Sequence, residues 1–461
     1  MQFPINCSHS VTSVKLGECL ECYQQKKQVT FSKIENIPTG ECLQYYQQKK
    51  QVFHASSDYN YFSPLHIIVW GYIFGTAWII DFLFTCCRSL YNECRLHKTI
   101  EKGTKLPDIS KCNDIIPRTA ILNQLKEILQ PTEYHSSYHM ICGEFGTGKT
   151  LLIRTAAKEV GHGIIYVDVP SNIKDFGIAF GEALNFAFEE DITFTRQLIR
   201  KIGGTEDESN IPKWNKALNA FKRISKAYKS KHNKPPVIIY DNVSRLARID
   251  PDILYILQDD AKDNADDGSY IAVFVSCEGV VPRMMMSRST WSRAISPPME
   301  ISDISKEESM NYLIQKRNIN EETAKELYQL VGGRILELKT VANDILADRD
   351  IEDIKKQKLI EIEQRFFSAK LFKSQKYHKI GKRAINTLLD SKEININVFI
   401  DFFKNNDEKY EEYKEVLGAN VFAYHLSSNT VTFQSRSVEF YIWENSNLFG
   451  LSDNSNSNHS E

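Results

Sequence analysis

The stretch YHMICGEFGTGKTLLIRTAAKEV, residues 138–160, decides how this chain is read. Its first five residues form a short apolar run suited to a buried strand, and LLIRTAAKEV repeats apolar residues at helical spacing. Between them, GEFGTGKT (143–150) fits the pattern G-x-x-x-x-G-K-[ST] at every fixed position. Glycines at such a bend let backbone N–H groups curl around phosphate oxygens, and the helix that follows adds the positive end of its dipole. Gly143, Glu144, Phe145, Gly146, Thr147, Gly148, Lys149, Thr150 and Leu151 therefore make a candidate phosphate cradle. The Lys149 amine is placed to reach the β- and γ-phosphates, and the Thr150 hydroxyl to serve a magnesium ion. The strand–loop–helix setting separates this match from a chance occurrence of the bare pattern.

Working outward, a helix over Thr119–Leu129 precedes the first strand. Further apolar runs read as buried strands: GIIYVDV (163–169), PVIIY (236–240), YIAVFVS (270–276) and the short PMEIS (298–302). Helical stretches fill the gaps. That alternation predicts an α/β fold over 105–303, with a parallel sheet covered on both faces. VIIYD ends in Asp241, so a buried strand would deliver a carboxylate beside the cradle to hold magnesium, directly or through its water. The plainer alternative is a strand with a capping aspartate. Ser276 ends the fourth strand, where a polar side chain can sense the γ-phosphate.

After residue 303 the strands stop. SDISKEESMNYLIQKR and NEETAKELYQLV read as helices with acidic first turns, followed by Gly332-Gly333-Arg334 and another helix. This predicts a helical lid and linker over 304–375, with Arg334 either a second sensor of nucleotide or part of a plain helix break. RMMMSRSTWSRA supplies Arg283, Arg288 and Arg293; an arginine here would neutralise transition-state charge in cis or in a neighbouring subunit, or the loop is simply basic and solvated. Over 376–445, the helix KIGKRAINTLLD and a hairpin of VFAYHL and VTFQ around SSNT predict a winged-helix-like domain. The polar tail 446–461 is expected to be disordered.

With GEFGTGKT, VIIYDN, FVSCEG and VGGRILELK in this order, residues 113–345 resemble the AAA+/STAND ATPases, the additional-strand superclass of P-loop NTPases. The strand at 163–169 lies between the two nucleotide motifs in sequence, as in that superclass. The region looks most like the archaeal-ATPase group and the ATPase part of fungal mitochondrial escape proteins, and more weakly like P-loop domains of crinkler-type effectors. The resemblance implies an ATPase core with ATP and Mg2+, a helical lid and a trailing winged helix. In those classes a glutamate commonly follows the strand-ending aspartate and polarises the attacking water. Here Asn242 stands there, which hydrogen-bonds a water but cannot take its proton. Turnover is therefore expected to be slow, with Glu144 or Glu278 as candidate substitutes. Two other readings remain: a nucleotide-dependent switch that does not hydrolyse, and a nucleic-acid-binding protein that uses the winged helix. Lys379, Lys382 and Arg383 favour the latter, whereas Glu411, Glu412 and Glu415 dilute the field.

Bulk properties bound the remainder. A net charge of −2 and a pI near 6.6 give no whole-chain case for nucleic acid. Eight of the ten cysteines precede residue 113, which argues against a disulfide framework in the main body and for a reducing compartment. MQFPINCSHSVTSVKL reads as neither a cleavable signal nor a mitochondrial presequence. Within the N-terminal region, 1–60, GECLECYQQKKQVTF (17–31) recurs as GECLQYYQQKKQVFH (40–54). Cys7, His9, Cys19 and Cys22 have a spacing that permits tetrahedral zinc, but the second copy has Tyr45 where the first has Cys22; a weakly structured duplication is the alternative.

The stretch LHIIVWGYIFGTAWIIDFLFTCC (65–87) would rise about 34 Å as a helix, enough to cross the hydrocarbon layer. It predicts a single span within 61–90, with Asp81 near one end and a buried hairpin or amphipathic anchor as alternatives. Arg88, Arg95, Lys98, Lys102 and Lys105 follow it, against Lys49 and Lys50 before, so the ATPase body is expected on the cytosolic side. A protein partner or self-association is compatible with all of this.

Overall fold

The computed structural model describes residues 64–107, 116, 118–188, 211–277, 279–404 and 412–450. The repeat, the four candidate zinc ligands, Glu278 and Glu411 lie outside the described residues. Helix α1 spans Pro64–Lys102. Among the described residues it is the one helix long and apolar enough to cross a membrane. Tyr72 and Trp78 are about three-quarters exposed, at 75% and 73%. Toward its C-terminal end the helix changes character. Asn92, Leu96 and Ile100, four apart on one face, are buried, while Glu93 pairs with Arg223 and Glu101 with Lys231 and His232.

The α/β layer begins with α2 (Thr119–Leu129) and β1 (His139–Cys142), followed by α3 (Lys149–Val160) and β2 (Ile164–Asp168). After α4 (Phe176–Leu184) and α5 (Lys213–His232) come β3 (Val237–Asp241), α6 (Ser244–Ile249), α7 (Pro251–Asp266) and β4 (Ile271–Val275). Then α8 (Val280–Met286) leads to β5 (Met299–Glu300). The five strands form a parallel sheet in the order β2-β3-β4-β1-β5. Every residue of β1, β3 and β4 is buried, which explains the near-continuous apolar runs: both faces of the sheet are covered. In space the strand inserted between β1 and β3 is β4. The 163–169 strand lies at the sheet edge beside β3, so sequence order and spatial order differ. Order along the chain cannot show which strand a crossover inserts.

Four helices follow, α9 (Lys306–Asn311), α10 (Glu321–Val331), α11 (Ile335–Leu346) and α12 (Ile351–Ser368), over the segment expected to form the lid. Ser305 and Glu308 form a capping box on α9, and Asn320 and Asp350 cap α10 and α12 through their side chains. The C-terminal unit contains α13 (His378–Ser391), β6 (Ile394–Asn395), α14 (Ile396–Asp401), α15 (Glu412–Gly418), β7 (Phe422–His425), β8 (Thr430–Phe433), α16 (Arg436–Glu444) and α17 (Ser446–Phe449). Its three strands pair antiparallel in the order β6-β8-β7, around a core that includes Phe399, Val431 and Tyr441.

Two features depart from expectation. The two-residue β6 joins the hairpin, too short to signal itself in sequence. The chain also stays ordered past 445, because Phe449 is buried with its ring 5.3 Å from that of Phe366. Within the expected tail, the described residues 446–450 belong to the packed unit.

Candidate active site

The loop after β1 takes backbone conformations that its glycines make accessible. Gly143 has φ 145°, and a Cβ there would lie 2.3 Å from the Ile301 carbonyl oxygen. Gly146, at φ 86°, faces the side chains of Arg334 and Leu336. Lys149 opens α3 and is buried; its Nζ donates to the Glu144 carbonyl at 2.6 Å and lies 3.4 Å from Thr147 Oγ1. Burial lowers its pKa, opposed by Cys277 and Glu144. The Glu144 carboxyl is pushed up by burial against the pull of Arg334, His425 and Lys149, and it accepts from Gln434 Nε2 at 3.5 Å.

Asp241 is 1% exposed at the end of β3. Burial raises its pKa, and hydrogen bonds from the Tyr166 and Thr150 hydroxyls oppose that rise. The Tyr166 hydroxyl donates at 2.5 Å and the Asn242 backbone N–H at 2.8 Å. A buried carboxylate beside a threonine hydroxyl is a pair of hard oxygen donors, which fits magnesium. Ser276, fully buried, directly follows β4, and its N–H donates to the Ile141 carbonyl at 2.9 Å.

Asn242 sits at φ 63°, a left-handed conformation that asparagine tolerates better than most residues. Its amide donates to Asp168 Oδ1 at 2.8 Å. Asp168 and Asp241 are register partners at the ends of β2 and β3. Arg154 of α3 donates to Asp168 Oδ2 at 2.8 Å and to the Tyr166 hydroxyl at 2.9 Å. These contacts join the strand ends to the helix that opens at Lys149.

Arg334, 3% exposed, precedes α11. It pairs with Asp303 at 2.5 Å and donates to the Phe145 carbonyl at 2.9 Å and the Gln434 carbonyl at 2.6 Å. Beside it, the Leu336 N–H donates to the Gly146 carbonyl at 3.1 Å. Further along, His425 of β7 hydrogen-bonds Glu300 of β5, and Ser427 donates to the other carboxylate oxygen at 2.8 Å. Burial alone would lower His425 and raise Glu300, but their mutual contact outweighs it, so the histidine is raised and the glutamate lowered.

The structure thus gathers the cradle, Asp241, Asn242, Ser276 and Arg334 at one end of the sheet. It does not bring the other arginines there. Arg288 lies 2.7 Å from both oxygens of Asp259 and stacks on Tyr255, while Arg283 stacks on Tyr413 and Tyr424. Arg293 pairs with Asp266, and its carbonyl accepts from the Tyr138 N–H just before β1, at the end of that strand opposite the cradle. Within one chain, neither Arg288 nor Arg293 reaches the cradle. Sequence reading missed Arg154, Tyr166, Asp168, Gln434 and His425. One signal was available: IIYVD ends in an acid, as VIIYD does.

Residues 116–341 match the family described as "ATPase domain predominantly from Archaea". No curated protein matches the chain. Among solved structures, the Walker-type ATPase of Pyrococcus abyssi is 13% identical with a TM-score of 0.45, over 74% of this chain and 99% of that one. The ORC2 protein of Aeropyrum pernix is 15% identical at 0.37, over 73% and 95%, and Cdc6p of Pyrobaculum aerophilum 12% at 0.34, over 76% and 99%. At these scores the likenesses carry no functional argument. The family match, the parallel sheet and the phosphate cradle together make this region a nucleotide-binding P-loop ATPase domain.

Proposed function

We propose that the chain is a magnesium-dependent ATP-binding protein and slow ATPase, in which nucleotide state governs how the lid and C-terminal unit engage the P-loop. The observation that carries this reading is Arg334: this one buried guanidinium, from the 304–375 segment, joins the P-loop carbonyl of Phe145, the carboxylate of Asp303 just after β5 and the C-terminal carbonyl of Gln434. A triphosphate in the cradle would compete with these acceptors for the guanidinium. Lys149 would hold the β- and γ-phosphates, Ser276 would face the γ-phosphate, and Thr150 with Asp241 would hold magnesium. When bound, magnesium neutralises charge on the phosphate oxygens. The lid at 304–375 and the helix–strand–helix–helix–hairpin order after 376 support the AAA+/STAND reading, with a winged-helix-like unit last. Tethering through 65–87, with the ATPase body on the cytosolic side, completes the proposal.

A non-hydrolysing switch is the second reading, favoured by the amide at Asn242. Single-turnover assays on the full chain in detergent decide between them. Slow phosphate release, lost together with triphosphate binding in Lys149→Ala, is the expected result. Bound ATP that stays intact over hours would favour the switch, and unchanged ATP affinity in a folded Lys149→Ala would overturn the site.

A further inference from the structure

We infer that Asp168, at the end of β2, is the carboxylate that orients the attacking water and takes its proton, with Asn242 and Arg154 as its positioning residues. The inference rests on the ATPase reading above and deepens it. Asp168 stands directly opposite Asp241 in the β2–β3 register, one strand over, about 5 Å in the backbone. Its side chain is 43% exposed, so water reaches it, whereas Asp241 is sealed at 1%. The residue behind Asp241 is turned toward it: the Asn242 amide fixes Oδ1 at 2.8 Å. Arg154, one helical turn beyond Thr150 on the same face of α3, fixes Oδ2 at 2.8 Å. Arg245 stands 3.7 Å from Oδ1. Asn242 thus does not lack a base; it aims one supplied by the neighbouring strand.

In the step, the water oxygen bonds to the γ-phosphorus while its proton passes to Asp168. The bond from the γ-phosphorus to the bridging oxygen breaks, and its electron pair leaves on ADP. Asp168 then returns the proton to solvent.

The rival role is a strut: Asp168 merely ties β2 to α3 through Arg154. Asp168→Asn in the full chain keeps the shape and one acceptor oxygen but removes the base. We expect its single-turnover rate to fall about 100-fold. Affinity for ATP with magnesium should stay within about threefold, and the purified protein should carry ATP in place of ADP. Asn242→Ala, which leaves the Asp168 charge in place, should lose about tenfold in rate at similar ATP affinity, and it tests the proposal should Asp168→Asn fail to fold. Turnover within threefold of wild type in either folded variant overturns the inference and leaves the ATPase reading standing. A parallel fall in ATP affinity and thermal midpoint, with no specific loss of rate, establishes the strut. Absence of turnover in the wild type overturns the ATPase reading and this inference together.

Discussion

Asn242 shows how one backbone conformation constrains the choice of residue. Its φ of 63° and its contact with Asp168 belong together, because the left-handed turn swings the side chain toward β2. A glutamate there would be strained by about 1 kcal/mol and would set a second carboxylate against Asp168. Asn242→Glu is therefore expected to lower the thermal midpoint and reduce single-turnover hydrolysis; a severalfold faster rate would show that a base is missing from this position. The nucleotide loop and Asp241 were legible in the sequence because each motif is contiguous and sits where a strand meets its loop. The Asp168–Asn242 pair was not, because 74 residues separate its members and their meeting depends on β2 lying beside β3.

At the scale of elements, the hairpin of β7 and β8 is held to the edge of the ATPase sheet by an ion pair whose histidine is shifted up and whose glutamate is shifted down by their mutual contact. The raised His425 pKa contributes stability that is complete below the ordinary imidazole value and is lost as pH rises through the raised one. The lowered Glu300 pKa contributes stability present above the ordinary carboxylate value and lost as pH falls through the lowered one. The hairpin's hold is thus expected to be firmest at roughly pH 5 to 6.5 and to loosen on the alkaline side. Hydrogen exchange across 422–433, corrected for its intrinsic pH dependence, should show protection falling above that window. Glu300→Gln should flatten the change. Helices and hairpin were readable from period and caps, and PMEIS was read as a strand. Their mutual contacts were not, because His425 and Glu300 lie 125 residues apart and meet only when the hairpin packs on the sheet edge.

For the molecule as a whole, α1 makes the membrane proposal concrete: the full chain should stay in membranes through a carbonate wash, and its release would favour a soluble helix. If, as proposed, the Arg334–Gln434 and His425–Glu300 contacts together clasp the C-terminal unit over the loop, they have a consequence for affinity as well. A protein that must unclasp before admitting ATP binds with its intrinsic strength divided by the fraction of molecules already open. A clasp favoured by about 1.4 kcal/mol leaves roughly one molecule in ten receptive, so ATP is held about tenfold more weakly than the cradle alone would hold it. Glu300→Gln, which alters no residue of the phosphate loop itself, should then lower the thermal midpoint while tightening ATP binding severalfold at pH 6. Loss of stability and gain of ligand from one substitution is the mark of a receptor that spends most of its time shut.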